Sequence, residues 1–589
     1  MLDKIPVELL RGILEQVRNT DDLASLCRTS KILHKETAPI LLEYRPLQIF
    51  FPDEFELNRI SPEILAELQG PLLRQLRTTR FLRVTAPGFE NENTQRCYHY
   101  SPENSDVVRW EVQGLEPNEK RDWPSRQLAN DLLPTLQLIQ DNKLEHFSWE
   151  LGCCIPREFL GKEGWLGRSQ SWIKSLAVSA SSACDFSLSN PGDGFIVSLA
   201  PFRNLTSLSW IGLVERAVAD QVEIALEQNA PHLECLELDF LRLNPQYFDS
   251  RATRFTASSF LTTSPTVYWG ARFPRLRKLS LSNVELGEPK DLIQLFNWNI
   301  LTHLCLRRCS GAREFLWELT DSYFTLRLKT FEIVVDPREA NSQELDTINF
   351  FLGSFSGLKN LYMHVEAQMM ARGDSIWKVA ADAHRSTLRR FTYQAVCWED
   401  RVIYEHASSV FDMGIGDTET LESLARHNPL SLLDLECIGL AARPATLRRV
   451  LTAFHGKNLK VLHVRYPGHG SEAFHAVEEV KEMMQQATNL ANKAPVDEDA
   501  KSEVWKLVDW LFSGEGIASL DAVIFGSFLL RGQHLEPALI AKRCPGPWGW
   551  ELKQAYFDGG LRGATMDRLV EKHFEFLESA PIQLVTWIT

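Results

Sequence analysis

The chain has 589 residues, of which 44% are hydrophobic and 24% are charged, a composition typical of folded rather than disordered proteins. Its formal net charge of −14 at pH 7 argues against a general nucleic-acid-binding protein, because contact with phosphates requires a basic face. The sequence shows neither a secretory leader pattern nor a run of about eighteen apolar residues, so we expect an intracellular protein, in cytoplasm or nucleus, that does not span a membrane.

The first 45 residues predict three short helices with more apolar surface than they can bury among themselves. Pro6 suits the first turn of a helix, and apolar residues follow it at helical spacing, in one broad stripe, as far as Val17. A second helix is expected from Thr20 and a third from Ser30, with Pro39 expected to interrupt the third. Because a unit of about 45 residues buries too little surface to be stable alone, its cover must come from the rest of the chain or from another protein.

The order of residues in this stretch resembles the F-box family. The resemblance is carried by Ile5-Pro6-x-Glu8-Leu9-Leu10-x-x-Ile13-Leu14, then Asp22-Leu23-x-x-Leu26, then Ser30-x-x-Leu33. F-box proteins dock these helices on a small Skp-type adaptor of cullin–RING ubiquitin ligases. The resemblance implies an F-box over residues 1–45 with adaptor-binding residues Ile5, Pro6, Leu9, Leu10, Ile13, Leu14, Leu23, Leu26 and Leu33. The alternative is an ordinary helical cap on the domain that follows.

A six-residue pattern, apolar-x-x-apolar-x-apolar, recurs after a bridging region of residues 46–140. It starts at Leu144, Ile173, Leu205, Leu233, Leu276, Leu301, Leu328, Leu358, Leu388, Leu430, Leu459 and Leu520. Successive starts from Leu276 to Leu388 are separated by 25, 27, 30 and 30 residues. Between two of the starts, Arg216–Gln228 has the apolar spacing of a helix. The pattern predicts strand–helix repeats over residues 141–530.

This array resembles the leucine-rich-repeat family, whose repeats of about 20–29 residues each place a strand on one side and a helix on the other. The resemblance implies an α/β fold: a short three-helix F-box, then an irregular solenoid with parallel strands on its concave side and helices on its convex side. Insertions are expected near 244–273, 395–428 and 465–519. Because a solenoid needs capped ends, we expect caps at 46–140 and at 531–589, the latter with a helix at Met566–Leu577. The combination most resembles the divergent F-box proteins of filamentous fungi.

The concave surface of such an array is formed by the strand positions that alternate with the apolar ones. Here these positions are polar and of both charges: Glu237, Asp239, Lys278, His303, Arg307, Asn360, Tyr362, His364, Arg390, Gln394, Asp434, Glu436, His463 and Arg465. Such a surface suits recognition of a protein or peptide by complementarity. We expect a substrate patch at Tyr362, His364, Arg390 and Gln394, the alternative being that these are solvated strand positions.

Signals for catalysis, a metal or a cofactor are weak throughout the sequence. Gly468–Ala473 has the spacing of a G-x-G-x-x-A phosphate loop, but glycines are expected in the turns of any strand–turn–helix repeat. The 15 His and 11 Cys form no paired ligand or nucleophile motif. We therefore expect no catalytic residue, no metal and no cofactor.

The leading prediction is a non-catalytic substrate receptor of an SCF-type ubiquitin ligase. Its F-box would dock a Skp-type adaptor, and through it a cullin–RING complex, while the repeats bind a protein substrate. The alternative is a scaffold or regulator whose F-box-like helices act outside a ligase, and a third class is an enzyme that uses the Gly468–Ala473 loop. Neither a nucleic acid nor a membrane is expected as a partner.

Overall fold

The computed structural model describes the chain in segments. The described residues are 5–14, 16–17, 20–44, 47–50, 73–85, 128–151, 155–179, 197–213, 216–240, 256–262, 271–322, 324–335, 342–367, 374–397, 428–440, 444–465, 503–525, 539–544, 549–554, 568–577 and 579. They divide into two compact units, the first containing the described residues up to Glu237 and the second those from Leu238 onward. Each unit is α/β, with parallel strands separated along the chain by helices.

The first unit begins with three helices, α1 (Val7–Leu14), α2 (Thr20–Cys27) and α3 (Lys31–Tyr44). The predicted cap of α3 is present, since Ser30 Oγ accepts the N–H of Leu33 at 3.1 Å. The predicted interruption at Pro39 is wrong, because α3 continues through it to Tyr44. Proline inside a helix removes one hydrogen bond and its ring crowds the preceding turn, and the burial of Leu33 and Ile40 on either side of it, against the other two helices, offsets that cost.

The three helices share a small apolar core. Its buried members are Leu10, Leu14, Leu23, Leu33 and Ile40, with Ile5, Val17 and Leu26 packed against it and partly buried. Burying one such side chain contributes about 1.5–3 kcal/mol relative to leaving it in water. These contacts therefore hold α1, α2 and α3 together.

Five parallel strands follow in the first unit, and each pairs with the next one in chain order. They are β1 (Leu47–Phe50), β2 (Phe81–Thr85), β3 (His146–Glu150), β4 (Ser175–Ser179) and β5 (Ser207–Ile211). The helices of this part are α4 (Leu73–Thr78), α5 (128–136), α6 (Arg157–Leu160), α7 (Trp165–Ser169) and α8 (Arg216–Asn229). β6 (Cys235–Asp239) follows α8 in the chain.

The parallel strands begin earlier than the sequence pattern predicted. β1 and β2 lie in the bridging region, to which we assigned no repeat, yet they pair in the same parallel manner as β3 to β5. Tyr44-x-x-Leu47-x-Ile49 fits the six-residue pattern, whereas before β2 a buried threonine, Thr79, stands in place of the first apolar residue. That polar substitution hides the second repeat from a search for apolar spacing.

The second unit contains a longer open series of strands. They are β7 (Lys278–Ser282), β8 (His303–Arg307), β9 (Thr330–Val335), β10 (Asn360–Ala367), β11 (Arg390–Cys397), β12 (Cys437–Leu440), β13 (Val461–Val464), β14 (Ala522–Phe525), β15 (Leu539–Arg543) and β16 (Trp550–Gln554). From β7 to β14 neighbours pair in parallel and in chain order, and the β14–β15 and β15–β16 pairs that end the series are antiparallel.

Helices precede, separate and follow these strands in the chain. They are α9 (Ala257–Thr262), α10 (Pro289–Gln294), α11 (Ala312–Asp321), α12 (Ser342–Gly353), α13 (Asp374–His384), α14 (Pro444–Thr452), α15 (Glu503–Phe512) and, last in the chain, α16 (Arg568–Leu577). One face of the strands packs on helices: the rings of Phe331 on β9 and Phe351 on α12 are 5.0 Å apart, and those of Trp377 on α13 and Tyr393 on β11 are 6.0 Å apart.

A repeated backbone linkage keeps successive strands in register. The carbonyl of Lys329, one residue before β9, accepts the N–H groups of Lys359 and Asn360 at 2.8 and 2.9 Å. The carbonyl of Lys359, one residue before β10, accepts those of Arg389 and Arg390 at 2.8 and 3.1 Å. The same paired donation recurs at other strand starts in both units, so each repeat enters its strand at an equivalent position.

The strand predicted from Leu430 is displaced. Pro429 begins a 3₁₀ turn there, and the side-chain oxygen of Asn428 accepts the N–H of Leu430 at 3.0 Å. β12 starts only at Cys437, so the apolar pattern is met by Leu435, Ile438 and Leu440 instead.

The displacement changes which residues alternate with the apolar ones. Cys437 and Gly439 take those positions on β12, and the prediction that Asp434 and Glu436 face the concave surface is wrong. Asp434 lies instead beside Arg389, with 3.5 Å between its carboxylate and the guanidinium Nη1.

Several predicted features lie outside the described residues. They are the Gly468–Ala473 loop and most of the insertions near 244–273, 395–428 and 465–519. The described residues 503–519 of the last insertion include helix α15. Among the described residues, no helix combines the length and the apolar character needed to cross a membrane.

Candidate functional site

Helix α1 presents two apolar stripes that point in different directions. Consecutive residues of a helix are about 100° apart, so Leu10 and Leu14 form one stripe and Leu9 and Ile13 the other. Leu10 and Leu14 are buried in the three-helix core, whereas 63% of Leu9 and 49% of Ile13 are exposed. Pro6, one turn before Leu9, is exposed as well. We call Pro6, Leu9 and Ile13 the α1 patch.

The structure separates the residues that the F-box resemblance groups together. Pro6, Leu9 and Ile13 are open to a partner. The other six are buried or partly buried within the three helices: Ile5, Leu10, Leu14, Leu23, Leu26 and Leu33. The sequence could not divide the two groups, because both have the same residue types at the same helical spacing.

A second candidate surface lies on β9 to β14. It is the face opposite to the one that packs on helices. The strand register places Tyr362 of β10 beside Thr392 of β11, Thr392 beside Gly439 of β12, and Gly439 beside His463 of β13. Along the same strands, His364 pairs with Gln394. The predicted substrate residues thus lie on one face of neighbouring strands.

Helix α16 lies on this face. Its Phe576 and Leu577 are fully buried in a cluster with strand residues, and Leu569 packs against the same cluster. The strand members are Val334, Tyr362, Cys437, Val461, Ala522, Ile524 and Ile540. The helix expected as an end cap therefore covers the face of the strands, while the antiparallel strands β15 and β16 complete the end of the series.

The predicted substrate patch is consequently not open to solvent. Tyr362 is 1% exposed, and His364 and Gln394 are fully buried. Only Arg390 keeps part of its side chain exposed, and its Nη1 lies 4.0 Å from a carboxylate oxygen of Glu575 on α16. The interpretation of these residues as solvated strand positions is also wrong for the three buried ones. Tyr362 is covered by Phe576 of the last described helix of the chain.

Phe576 is the central contact of α16. Its ring centroid lies 6.3 Å from that of Tyr362 and 6.1 Å from that of His463, the two rings being tilted and edge-on to it respectively. Burial, strengthened by the nearby Glu575 carboxylate, raises the pKa of Tyr362 well above its ordinary value, so the phenol stays protonated. The contact between Phe576 and Tyr362 is therefore one between neutral rings at physiological pH, at a ring separation typical of aromatic pairs.

Two polar contacts flank this aromatic group. Arg465, which is almost fully buried, donates from Nη1 to the backbone carbonyl of Ser579 at 2.7 Å, just after α16 ends. Burial lowers its pKa to about 10, so it remains charged at neutral pH. Arg307 of β8 and Glu332 of β9 form a bidentate ion pair, at 2.6 and 3.2 Å. The covered face thus contains charged groups that are paired rather than isolated.

A cysteine and a histidine meet at the same surface, although no spacing in the sequence predicts that they pair. Cys437 Sγ lies 3.5 Å from His573 Nδ1 of α16. Burial raises the pKa of the Cys437 thiol to about 12 and lowers that of His573 to about 4. A nucleophilic pair needs a thiolate beside an imidazolium, and here both groups are neutral near pH 7. The pair therefore acts as a packing contact between α16 and β12.

Other predicted surface positions are also buried in ion pairs or hydrogen bonds. Ser209 Oγ donates to Glu237 at 2.7 Å in the first unit, and Asn283 donates to Asp239 at 2.7 Å in the second. Within the described segments, no group of three or more His, Cys, Asp or Glu side chains is arranged to hold a metal ion.

Comparison with known protein families and curated protein sequences found no match. No protein-family model matches the chain, and no curated protein sequence matches it.

Proposed function

We propose that this chain is a protein-binding receptor, the substrate-recognition subunit of an SCF-type cullin–RING ubiquitin ligase. In this proposal α1 to α3 act as an F-box that binds a Skp-type adaptor, and the strand–helix repeats bind a protein substrate. The chain would contribute proximity, because holding the substrate near the conjugating machinery makes the transfer effectively intramolecular. The chemistry would belong to other subunits.

The observation that carries the proposal is the exposure of Leu9 and Ile13. Both are large apolar side chains on a helix whose other apolar stripe is already buried in its own core. Leaving each in water forgoes up to about 1.5–3 kcal/mol of burial, which a partner protein could recover. Neighbouring apolar residues one turn apart are the usual anchors when a helix docks in the groove of a partner.

Replacing Leu9 and Ile13 by alanine together tests the adaptor interaction. We expect the double variant to lose at least tenfold in affinity for a purified Skp-type adaptor, measured by co-purification and by titration calorimetry. Its thermal unfolding should be unchanged, because neither side chain packs in a core. A variant with Leu138→Ala and Leu432→Ala, which removes two leucines exposed elsewhere, is the matched control and should bind normally. Undiminished binding by the Leu9/Ile13 variant would refute the proposed docking surface.

A second candidate is a scaffold or regulator that acts outside a ligase. It is favoured by one observation, namely that the predicted substrate face is covered by the chain's own helix α16. Mass spectrometry of the complex purified from cells separates the two functions. A ligase receptor brings down both adaptor and cullin, whereas a scaffold brings down the adaptor without cullin, or neither.

A further inference from the structure

The face beneath α16 contains a slot shaped for an aromatic side chain. In the row of paired residues Tyr362, Thr392, Gly439 and His463, two rings stand at the ends and two small residues lie between them. Gly439 makes room for the Thr392 side chain, because a Cβ added at Gly439 would lie 2.8 Å from Thr392 Oγ1. Tyr362 and His463 are three strand spacings apart, each of about 4.8 Å, so a phenyl ring fits between their side chains.

Phe576 occupies this slot. Its ring lies about equally far from Tyr362 and His463, at 6.3 and 6.1 Å, and it is fully buried. Glu575, the preceding residue, lies 4.0 Å from Arg390 at the rim, where both side chains remain partly exposed. The slot and its rim therefore hold an acidic residue followed by an aromatic one on a single helical turn.

The composition of this face differs from that of a permanent core. The residues that alternate with it on β10 and pack toward the helices are apolar, namely Leu361, Met363 and Val365. The covered face of β10 and β11 instead carries Tyr362, His364, Thr392 and Gln394. Polar groups are costly inside a protein unless they are paired, and they are suited to a surface that water also reaches. This face thus has the side chains of a binding surface.

The covering element is small. α16 has ten residues, and among those whose side chains are described Phe576 and Leu577 are fully buried against the strands. An isolated helix shorter than about 12–15 residues is only marginally stable in water, so α16 depends on its docking site. A partner helix with the same side chains could make the same contacts.

We propose that the face spanning β10 to β13 is a receptor for an amphipathic helix of a partner protein, one that carries an acidic residue next to an aromatic residue. α16 is its intramolecular occupant and is displaced when the partner binds. The inference names the class of substrate, and it rests on the proposed function only in identifying that partner as a ligase substrate. A tethered occupant acts at an effective concentration of the order of millimolar, so it sets a threshold that a partner must exceed.

The test uses a fluorescein-labelled peptide of residues 566–580 as the probe and the full chain as the receptor. In the variant with Phe576→Ala and Leu577→Ala the occupant is weakened, and fluorescence anisotropy should show at least tenfold tighter peptide binding than in the wild-type chain. A peptide with alanine in place of Phe576 should bind neither chain. Absence of peptide binding to the folded variant, checked by circular dichroism, would overturn the proposal.

A charge exchange locates the binding on this face. Arg390→Glu in the same variant should weaken the peptide several-fold, and a peptide with Glu575→Lys should recover the loss. Equal binding of both peptides to both chains would show that the peptide binds elsewhere and would overturn the assignment.

Hydrogen exchange on the unmodified chain supplies a measurement that no variant can confound. The amides of α16 should exchange at least tenfold faster than those of β10 to β13, because α16 opens while the strands stay paired. Equal protection of helix and strands would mean that α16 is a permanent part of the core, contrary to the proposal. None of these assays contains an adaptor, so their failure and a failure of Leu9 and Ile13 to bind one are separate results.

Discussion

The α1 patch and the face beneath α16 differ in both polarity and exposure. The α1 patch is apolar and lies open, with Leu9 and Ile13 largely exposed. The face of β10 to β13 is rich in polar groups and lies covered, with Tyr362 and His364 buried and Tyr362 packed in one cluster with the chain's own helix α16. Residue polarity alone would predict the reverse arrangement, since apolar groups are usually the buried ones.

The difference shows that the two surfaces face different competition. In the described part of the chain Leu9 and Ile13 remain 63% and 49% exposed, so an adaptor that binds the exposed part would displace water. A partner of the β10–β13 face would first have to displace α16. We therefore expect binding at the α1 patch to depend on contact area alone, and binding at the second face to depend also on how often α16 opens.

The largest effect is expected from the ion pair on the covered face. Arg307→Ala leaves Glu332 charged and almost fully buried, and removing one partner of a buried pair costs about 3–5 kcal/mol. The loss of unfolding free energy is measured by denaturant titration, with hydrogen exchange at the amides of β8 and β9 as the probe. Arg313→Ala is the control, because its pair with Glu314 is exposed and is worth at most about 1 kcal/mol. Equal losses in both variants would mean that the Arg307 pair is as solvated as a surface one.

Truncation of a residue in the three-helix core and truncation of a residue in the α1 patch should change stability by different amounts. Leu23→Ala removes a fully buried side chain, and such changes cost about 2–5 kcal/mol, so exchange throughout α1 to α3 should accelerate. Leu9→Ala should change stability by no more than about 0.5 kcal/mol, since the side chain is mostly in water. A loss of stability in Leu9→Ala that matches that of Leu23→Ala would remove the distinction between core and patch.

The smallest effect is a pH dependence of α16 docking through His573. The pKa of His573 is about 4 when α16 is docked and about 6.5 when the helix is free. Burial lowers it most, followed by the positive charges of Lys572 and Arg390, while the carboxylate of Asp521 opposes the shift. The imidazole of His573 contacts the thiol of Cys437. The undocked helix therefore binds the proton more tightly, and docking is unimpaired above about pH 6.5 and weakens as the pH falls toward 4.

Exchange rates of the α16 amides, corrected for intrinsic rates, should rise several-fold relative to β10 between pH 7.5 and pH 5.5. His573→Gln, which cannot titrate, should remove this dependence on pH. A pH response of the same size in the glutamine variant would assign the effect to another group.

Much of the repeat architecture could be predicted from short stretches of sequence. The pattern at Leu276, Leu301, Leu328, Leu358 and Leu388 lies directly over the starts of β7 to β11, because two-residue alternation and a buried leucine before each strand are local properties. The pattern was misleading at Leu430, where Pro429 and the Asn428 side chain favour a turn. The pattern did not predict β2, because Thr79 stands where the first apolar residue is expected.

The amino-acid order by itself determined the elements of this protein: helices with apolar stripes at the N-terminus, then parallel strands alternating with helices. Tertiary structure decided which surfaces remain available. It divided the apolar residues of α1 into a buried and an exposed half, and it brought Phe576 from the C-terminal part of the chain onto Tyr362 and His463. The physical reason is range: periodicity acts between residues a few positions apart, whereas cover is supplied by side chains that are distant in sequence.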